Sequence, residues 1–167
     1  MRFQLATASA ALSILMTALM AGSFFAFSTA VMPGLNATRA PSAIAAMNAI
    51  NQKIQNPVFL AAFTLAPVAA AAAGILLLTM GQKSAAWLFF AAAAVYFVGA
   101  FLPTAAVNVP MNNHLAGVKV PHDLADAAKV WSDYSGRWTG WNHARAVFST
   151  VSVLLMGAAT YFWGRNH

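Results

Sequence analysis

Cysteine is absent from this 167-residue chain, and three acids stand against nine Lys and Arg residues. Without cysteine there is no disulfide, no thiolate nucleophile and no thiolate metal or iron–sulfur site. Charged residues are 7% of the chain, against roughly 25% in a typical soluble domain, and hydrophobic residues reach 60%. So few charges cannot cover the surface of a soluble protein of this length. The bases form no run, so the net charge of +6 suits anionic lipid headgroups rather than nucleic acid. Nucleic acid is therefore not an expected partner.

What the chain does have is length without charge. No Asp, Glu, Lys or Arg occurs in residues 3–38, 54–82, 84–118 or 146–164. A helix crosses the hydrocarbon layer with about 20 apolar residues, and each run supplies them. The expected fold is an all-α integral membrane four-helix bundle in one domain, 1–167, with antiparallel spans near 5–31, 57–80, 84–107 and 143–163. Short interfacial helices are expected in the two longer connections. The first run follows Met1-Arg2 but far exceeds a secretory h-region of about 7–15 residues, so it reads as an uncleaved span. The protein is expected to be a multi-pass integral membrane protein, of the cell membrane if bacterial.

Local signals punctuate the spans. Ser9, Ser13, Thr17 and Ser28 in the first span are small or polar residues of the kind that let membrane helices approach. Pro33-Gly34 is expected to end that helix, and Pro41 to open a short one whose apolar side carries Ile44, Met47, Ile50 and Ile54. Gly81-Gln82-Lys83 is long enough only for an antiparallel hairpin. Pro103 lacks a backbone donor and crowds the carbonyl of Gly99, so a kink is expected just before Asn108. Asn108, Asn112, Asn113 and His114 follow, costly at membrane depth unless they face a partner or water.

The last span opens on a polar-aromatic cluster: Trp131, Tyr134, Arg137, Trp138, Trp141, Asn142, His143 and Arg145. On a regular helix, Tyr134, Trp138, Trp141, Asn142 and Arg145 share a face about 100° wide, which continues through Ser149, Ser152 and Met156. Such a stripe suits a pocket inside a bundle. His143 lies about 160° from Arg145, so the two cannot both face its centre.

Plainer readings exist for each group. A single Trp or Tyr can be an interfacial anchor, Arg145 can snorkel to headgroups, and Asn108 or Asn112 can brace irregular backbone. His114, His122 and His167 can be simply solvated. The cluster as a whole holds more polar and aromatic groups than anchoring requires. No His pair has i, i+3 or i+4 spacing, so a metal site is not expected.

The chain resembles the DUF1772 membrane proteins, the group that includes the anthrone oxygenases of polyketide pathways. The resemblance is carried by Val31-Met32-Pro33-Gly34-Leu35, by Asn51 through Asn56-Pro57-Val58-Phe59, and by Asn108-Val109-Pro110-Met111-Asn112-Asn113. Its most specific part is Arg137-Trp138-Thr139-Gly140-Trp141-Asn142-His143-Ala144-Arg145. The resemblance implies oxidation of an anthrone-like aromatic by molecular oxygen without metal or flavin. It also implies His143 or His114 as base, Arg145 with Asn142 on the developing oxyanion, and Trp138 with Trp141 as aromatic walls. Tyr134, Arg137, Asn108, Asn112 and Asn113 complete the expected substrate-binding set. Membrane lipid and a hydrophobic aromatic small molecule are the expected partners, and a homo-oligomer is compatible with them. The rival reading is a non-catalytic membrane protein that binds a lipid, quinone or haem, with His114 and His143 as candidate haem ligands, or that serves a larger complex.

Overall fold

The computed structural model describes residues 1–121 and 123–165. His122 and His167 lie outside the described residues. Within them all regular structure is helical: α1 (Arg2–Asn36), α2 (Ala40–Ile54), α3 (Pro57–Thr79), α4 (Lys83–Gly117) and α5 (Leu124–Arg165). Four of these, all but α2, are long and apolar enough to cross a membrane. α1 packs on α3 and α5, and α4 packs on the same two, which closes a four-helix bundle. This is a multi-pass membrane protein.

Small residues line the helix contacts and large ones face outward. Ala6, Ala10, Ala70, Ala73, Ala85, Ala86, Ala92 and Ala159 are buried, whereas Leu12, Leu15, Leu19, Val68, Ile75, Val98 and Leu154 are exposed. In hydrocarbon the exposed leucines cost nothing, and close backbone approach supplies the packing energy. The α3–α4 hairpin turns on Gly81, whose φ of 78° suits glycine. There the N–H of Gln82 donates to the Leu77 carbonyl and that of Gly81 to the Leu78 carbonyl, which satisfies the last turn of α3. At the other end of α3, Asn56 caps the helix by accepting from the Phe59 N–H at 3.0 Å.

The four long helices differ in length, and that difference creates a second region. α3 has 23 residues, about 35 Å, close to the hydrocarbon thickness of about 30 Å, while α5 has 42 residues and extends about 63 Å. Because the α3–α4 turn is tight, the surplus of α1, α4 and α5 collects at the opposite end. α2 packs there, burying Ala43, Ile44 and Met47 against Met32, Leu115, Trp131, Tyr134 and Trp138. The separate helix expected in the first long connection is thus present. In the second, α4 runs on to Gly117 and α5 already begins at Leu124, so the chain crosses in six residues.

Pro33 does not end its helix as expected; before Pro33, Pro103 and Pro110 the helix widens instead. π-helical segments occupy Phe27–Val31, Phe97–Phe101 and Thr104–Asn108, and each ends two residues before a proline. In each case the residue preceding the proline donates five residues back: Met32 to Phe27, Leu102 to Phe97, Val109 to Thr104. The wider turn relieves the clash between the pyrrolidine ring and the carbonyl four residues earlier. α1 therefore passes Pro33 and ends at Asn36, and α4 passes Pro103 and Pro110. Gly99 lies in the second segment, packed so closely on Phe148 that an added Cβ would overlap the base of that ring.

Candidate ligand-binding site

The wide turns of α1 and α4 border a cavity of about 300 Å³. α1 contributes Phe24 and Phe27, the last turn of α2 contributes Asn51 and Gln55, and the first turns of α3 contribute Phe59 and Phe63. α4 supplies Thr104, Asn108, Asn112 and Asn113, and α5 supplies Trp138, Asn142 and Arg145. The level of the first turns of α3 sets this cavity at one margin of the hydrocarbon layer.

The α5 wall follows from a seam of buried residues spaced by three or four: Trp131, Tyr134, Trp138, Asn142, Arg145, Ser149, Ser152, Met156, Ala159 and Trp163. A 3.5-residue repeat keeps one face toward the bundle. Trp141 sits about 60° from the centre of that seam and is 39% exposed. His143, on the far side, is exposed.

Arg145 is 5% exposed and has no carboxylate beside it. Its Nη2 donates to Asn142 Oδ1 at 2.8 Å and its Nη1 to Thr104 Oγ1 at 3.1 Å. The guanidinium carbon lies 4.6 Å from the centre of the Phe24 ring and 5.1 Å from that of Trp138, within cation–π range. Its Nε has no partner. Asn142 is itself locked, because its Nδ2 donates to the Phe24 carbonyl and to Ser28 Oγ, both at 2.7 Å. All three acids, Asp123, Asp126 and Asp133, are exposed, and Asp133 pairs with Lys129. The buried charge thus rests on neutral dipoles and ring faces, an arrangement that favours an arriving anion.

A second polar group lies across Trp138. Its Nε1 and the Tyr134 hydroxyl both donate to Asn112 Oδ1 at 2.8 Å. An indole nitrogen is only a donor, so this contact fixes which amide atom is oxygen. Asn112 Nδ2 then donates to Asn51 Oδ1 at 3.1 Å. Asn108 Nδ2 donates to the Trp138 carbonyl at 3.3 Å.

Six residues singled out from the sequence line this cavity: Arg145, Asn142, Trp138, Asn108, Asn112 and Asn113. Three others, His114, Tyr134 and Arg137, line a separate cavity of about 450 Å³ between α4 and α5. Tyr134 divides the two, with its ring on one and its hydroxyl on Asn112 of the other. His143 and Trp141 line neither, so the two histidines share no cavity. Among the described residues no three His, Asp or Glu side chains converge in a metal-binding group. Asn51, Thr104 and Phe24 were not expected in the site. Asn51 stood in a motif of the resemblance, but neither it nor Phe24 carried a signal of contact with Asn112 or Arg145.

Fold and cavity define a multi-pass membrane protein with a buried cationic, aromatic-walled pocket. Residues 53–155 match the family described as Anthrone oxygenase. That match spans more than half of the chain, and the protein belongs to the anthrone oxygenase family. Comparison with curated proteins and with solved structures gave no match.

Proposed function

We propose that the protein oxidises an anthrone-like aromatic small molecule with molecular oxygen, in the Arg145 cavity. The observation that carries this reading is a buried guanidinium without an acid, set among Phe24, Phe27, Phe63 and Trp138. The aromatic walls suit a flat tricyclic body, and the guanidinium suits an oxygen that becomes negative during the reaction. In an anthrone the methylene between two aryl rings is acidified by the carbonyl across the ring. Loss of one methylene proton places the charge largely on that carbonyl oxygen, where Arg145 and its partner Asn142 stabilise it. The electron-rich anion reduces oxygen, a C–O bond forms, and the resulting hydroperoxide loses water. The net change is CH2 plus O2 to C=O plus H2O, with no outside reductant.

The base must come from outside the residues that line this cavity. His143 is exposed on the far side of α5 and lines neither cavity, whereas His114 lines the second one, so of the two His114, acting through water, is the candidate base. With the anion stabilised by Arg145, a weak base suffices. The lack of a titratable base among the residues lining the Arg145 cavity favours one alternative, a non-catalytic membrane protein that binds a quinone or an acidic lipid.

Oxygen uptake by the purified protein with anthrone separates the two. Saturable uptake above the spontaneous rate is expected for the parent, and about 10²-fold less for Arg145→Lys, because an ammonium cannot reproduce the forked donors. If Arg145→Lys matches the parent, Arg145 is a headgroup anchor and the oxyanion role fails. If the parent binds anthrone without consuming oxygen, the binding reading replaces the enzymatic one.

A further inference from the structure

The residues that line the Arg145 cavity are covered very unequally. Of the whole lining only Gln55, Leu60, Val109 and Asn113 are exposed. They come from the C-terminal cap of α2, the first turn of α3 and one flank of α4, and none comes from α1 or α5. Leu60 lies on the side of α3 that meets α4. On that side Phe63 stacks on Phe101 at 5.1 Å and Gly74 packs on the Phe90 ring, and Leu60 sits about 60° beyond Phe63, nearer the start of the helix. Val109 and Asn113 stand one turn apart on α4. The other ways in are closed. α2 covers the end of the bundle through Ala43, Ile44 and Met47, and Asn112 ties Tyr134 and Trp138 of α5 to Asn51 of α2. On the remaining side Asn142 ties α5 to Phe24 and Ser28 of α1. The cavity therefore opens sideways, between two membrane-spanning helices, at the level where α3 begins.

We propose that this opening is a lateral portal, through which the cavity takes its ligand from the bilayer and not from water. The inference rests on the proposed reading of the cavity as a site for a flat aromatic molecule. Leu60 and Val109, 44% and 40% exposed, give the mouth two apolar edges, and Gln55 and Asn113 give it two amide edges. α3 begins at Pro57, so the apolar Leu60 edge lies on the hydrocarbon side of that level and the Gln55 edge on the headgroup side. A flat apolar ring system collects in the bilayer, because water disfavours its surface. Its carbonyl oxygen keeps hydrogen-bond donors at the amide edge while the rings pass Leu60 and Val109, so entry does not strip the polar end bare. The substrate class that such a door admits is a small aromatic dissolved in the membrane at its margin. Leu60 and Val109 govern how fast it passes, and Arg145 governs how firmly it is held.

The chain has no cysteine, so a single introduced thiol is the sole site of modification. Leu60→Cys and Val109→Cys, with Val68→Cys on the outward face of α3 as control, are placed in phospholipid nanodiscs as full chains and compared before and after reaction with N-phenylmaleimide. The probe is 9,10-anthraquinone, which does not react with oxygen, and its binding is followed by stopped-flow quenching of tryptophan fluorescence. A plug in a doorway raises the barrier to entry and to exit alike, so modification at Leu60→Cys or Val109→Cys should slow association and dissociation together by about tenfold and keep Kd within about twofold. Modification at Val68→Cys should change neither rate. Unchanged rates at both mouth positions overturn the portal, and so does a change confined to dissociation, which marks a wall contact instead of an entrance. A spin label at Leu60→Cys decides the side to which the mouth opens: collisions with oxygen, which concentrates in hydrocarbon, should exceed those with a water-soluble nickel chelate, and the reverse overturns entry from the bilayer. If the unmodified chain does not bind anthraquinone at all, the aromatic reading of the cavity fails, and the spin label still decides whether the mouth faces lipid.

Discussion

Replacing Asn112 with leucine removes one acceptor and one donor at the centre of the polar network. Its Oδ1 receives the Tyr134 hydroxyl and Trp138 Nε1, and its Nδ2 reaches Asn51. Tyr134 and Trp138 are both buried, 6% and 4% exposed, so neither stranded donor can turn to bulk water. A stranded buried donor costs about 1–3 kcal/mol, whereas a side-chain hydrogen bond within a membrane averages about 0.6 kcal/mol because the unfolded reference also finds partners. Two stranded donors and one further lost bond, at a site on the membrane margin, should cost about 2–4 kcal/mol. Asn112→Asp keeps an acceptor for both donors and should cost less than Asn112→Leu. Unfolding free energy from a detergent titration, followed by tryptophan emission, measures both variants. Asn113→Leu is a neighbouring control with an exposed side chain and should stay within about 0.5 kcal/mol of the parent. If Asn112→Leu were as stable as Asn113→Leu, the network would not hold Trp138 in place and the argument would be wrong.

Three other substitutions or fusions test separate parts of the structure. His143→Ala should leave anthrone binding and oxygen uptake within about twofold of the parent, since the side chain is exposed on the far side of α5; a large loss of kcat would return that residue to the reaction. Gly99→Ala forces a Cβ into the base of the Phe148 ring and should destabilise by about 1–3 kcal/mol, read by the same detergent titration. Reporter domains fused at Arg2 and after Arg165 should localise to the same side of the membrane, and opposite sides would contradict an even number of crossings.

Much of the architecture is legible in the residues because the bilayer imposes so few options. A backbone in hydrocarbon must satisfy its own polar groups, so a long run without charge becomes a helix, and four such runs joined by one tight turn and two longer connections become an antiparallel bundle. The buried face of α5 was equally readable. Trp138, Asn142, Arg145, Ser149 and Ser152 lie in one register, and His143 falls opposite Arg145 by simple rotation. Trp141 shows the limit of that reasoning. It lies at the edge of the angular window that admitted it, about 60° from Trp138, and there it is 39% exposed.

Which groups meet across helices was decided by the tertiary structure alone. Each π segment places an extra residue in a turn, which shifts the helical phase of everything after it by roughly the 100° that one residue subtends. α4 contains two such segments between Tyr96 and Val109. A 3.6-residue period carried along α4 therefore cannot say where Asn108 and Asn112 point, nor divide Asn112 from His114 between two cavities. Asn51, one partner of Asn112, lies 61 positions away on α2, and the two groups that accept from Asn142 lie on α1. Charge and hydropathy along the chain determine which segments enter the membrane, because that cost is paid residue by residue. The cavity depends on how helices are rotated against one another, and the wide turns before Pro33, Pro103 and Pro110 set that rotation through backbone geometry that no composition records.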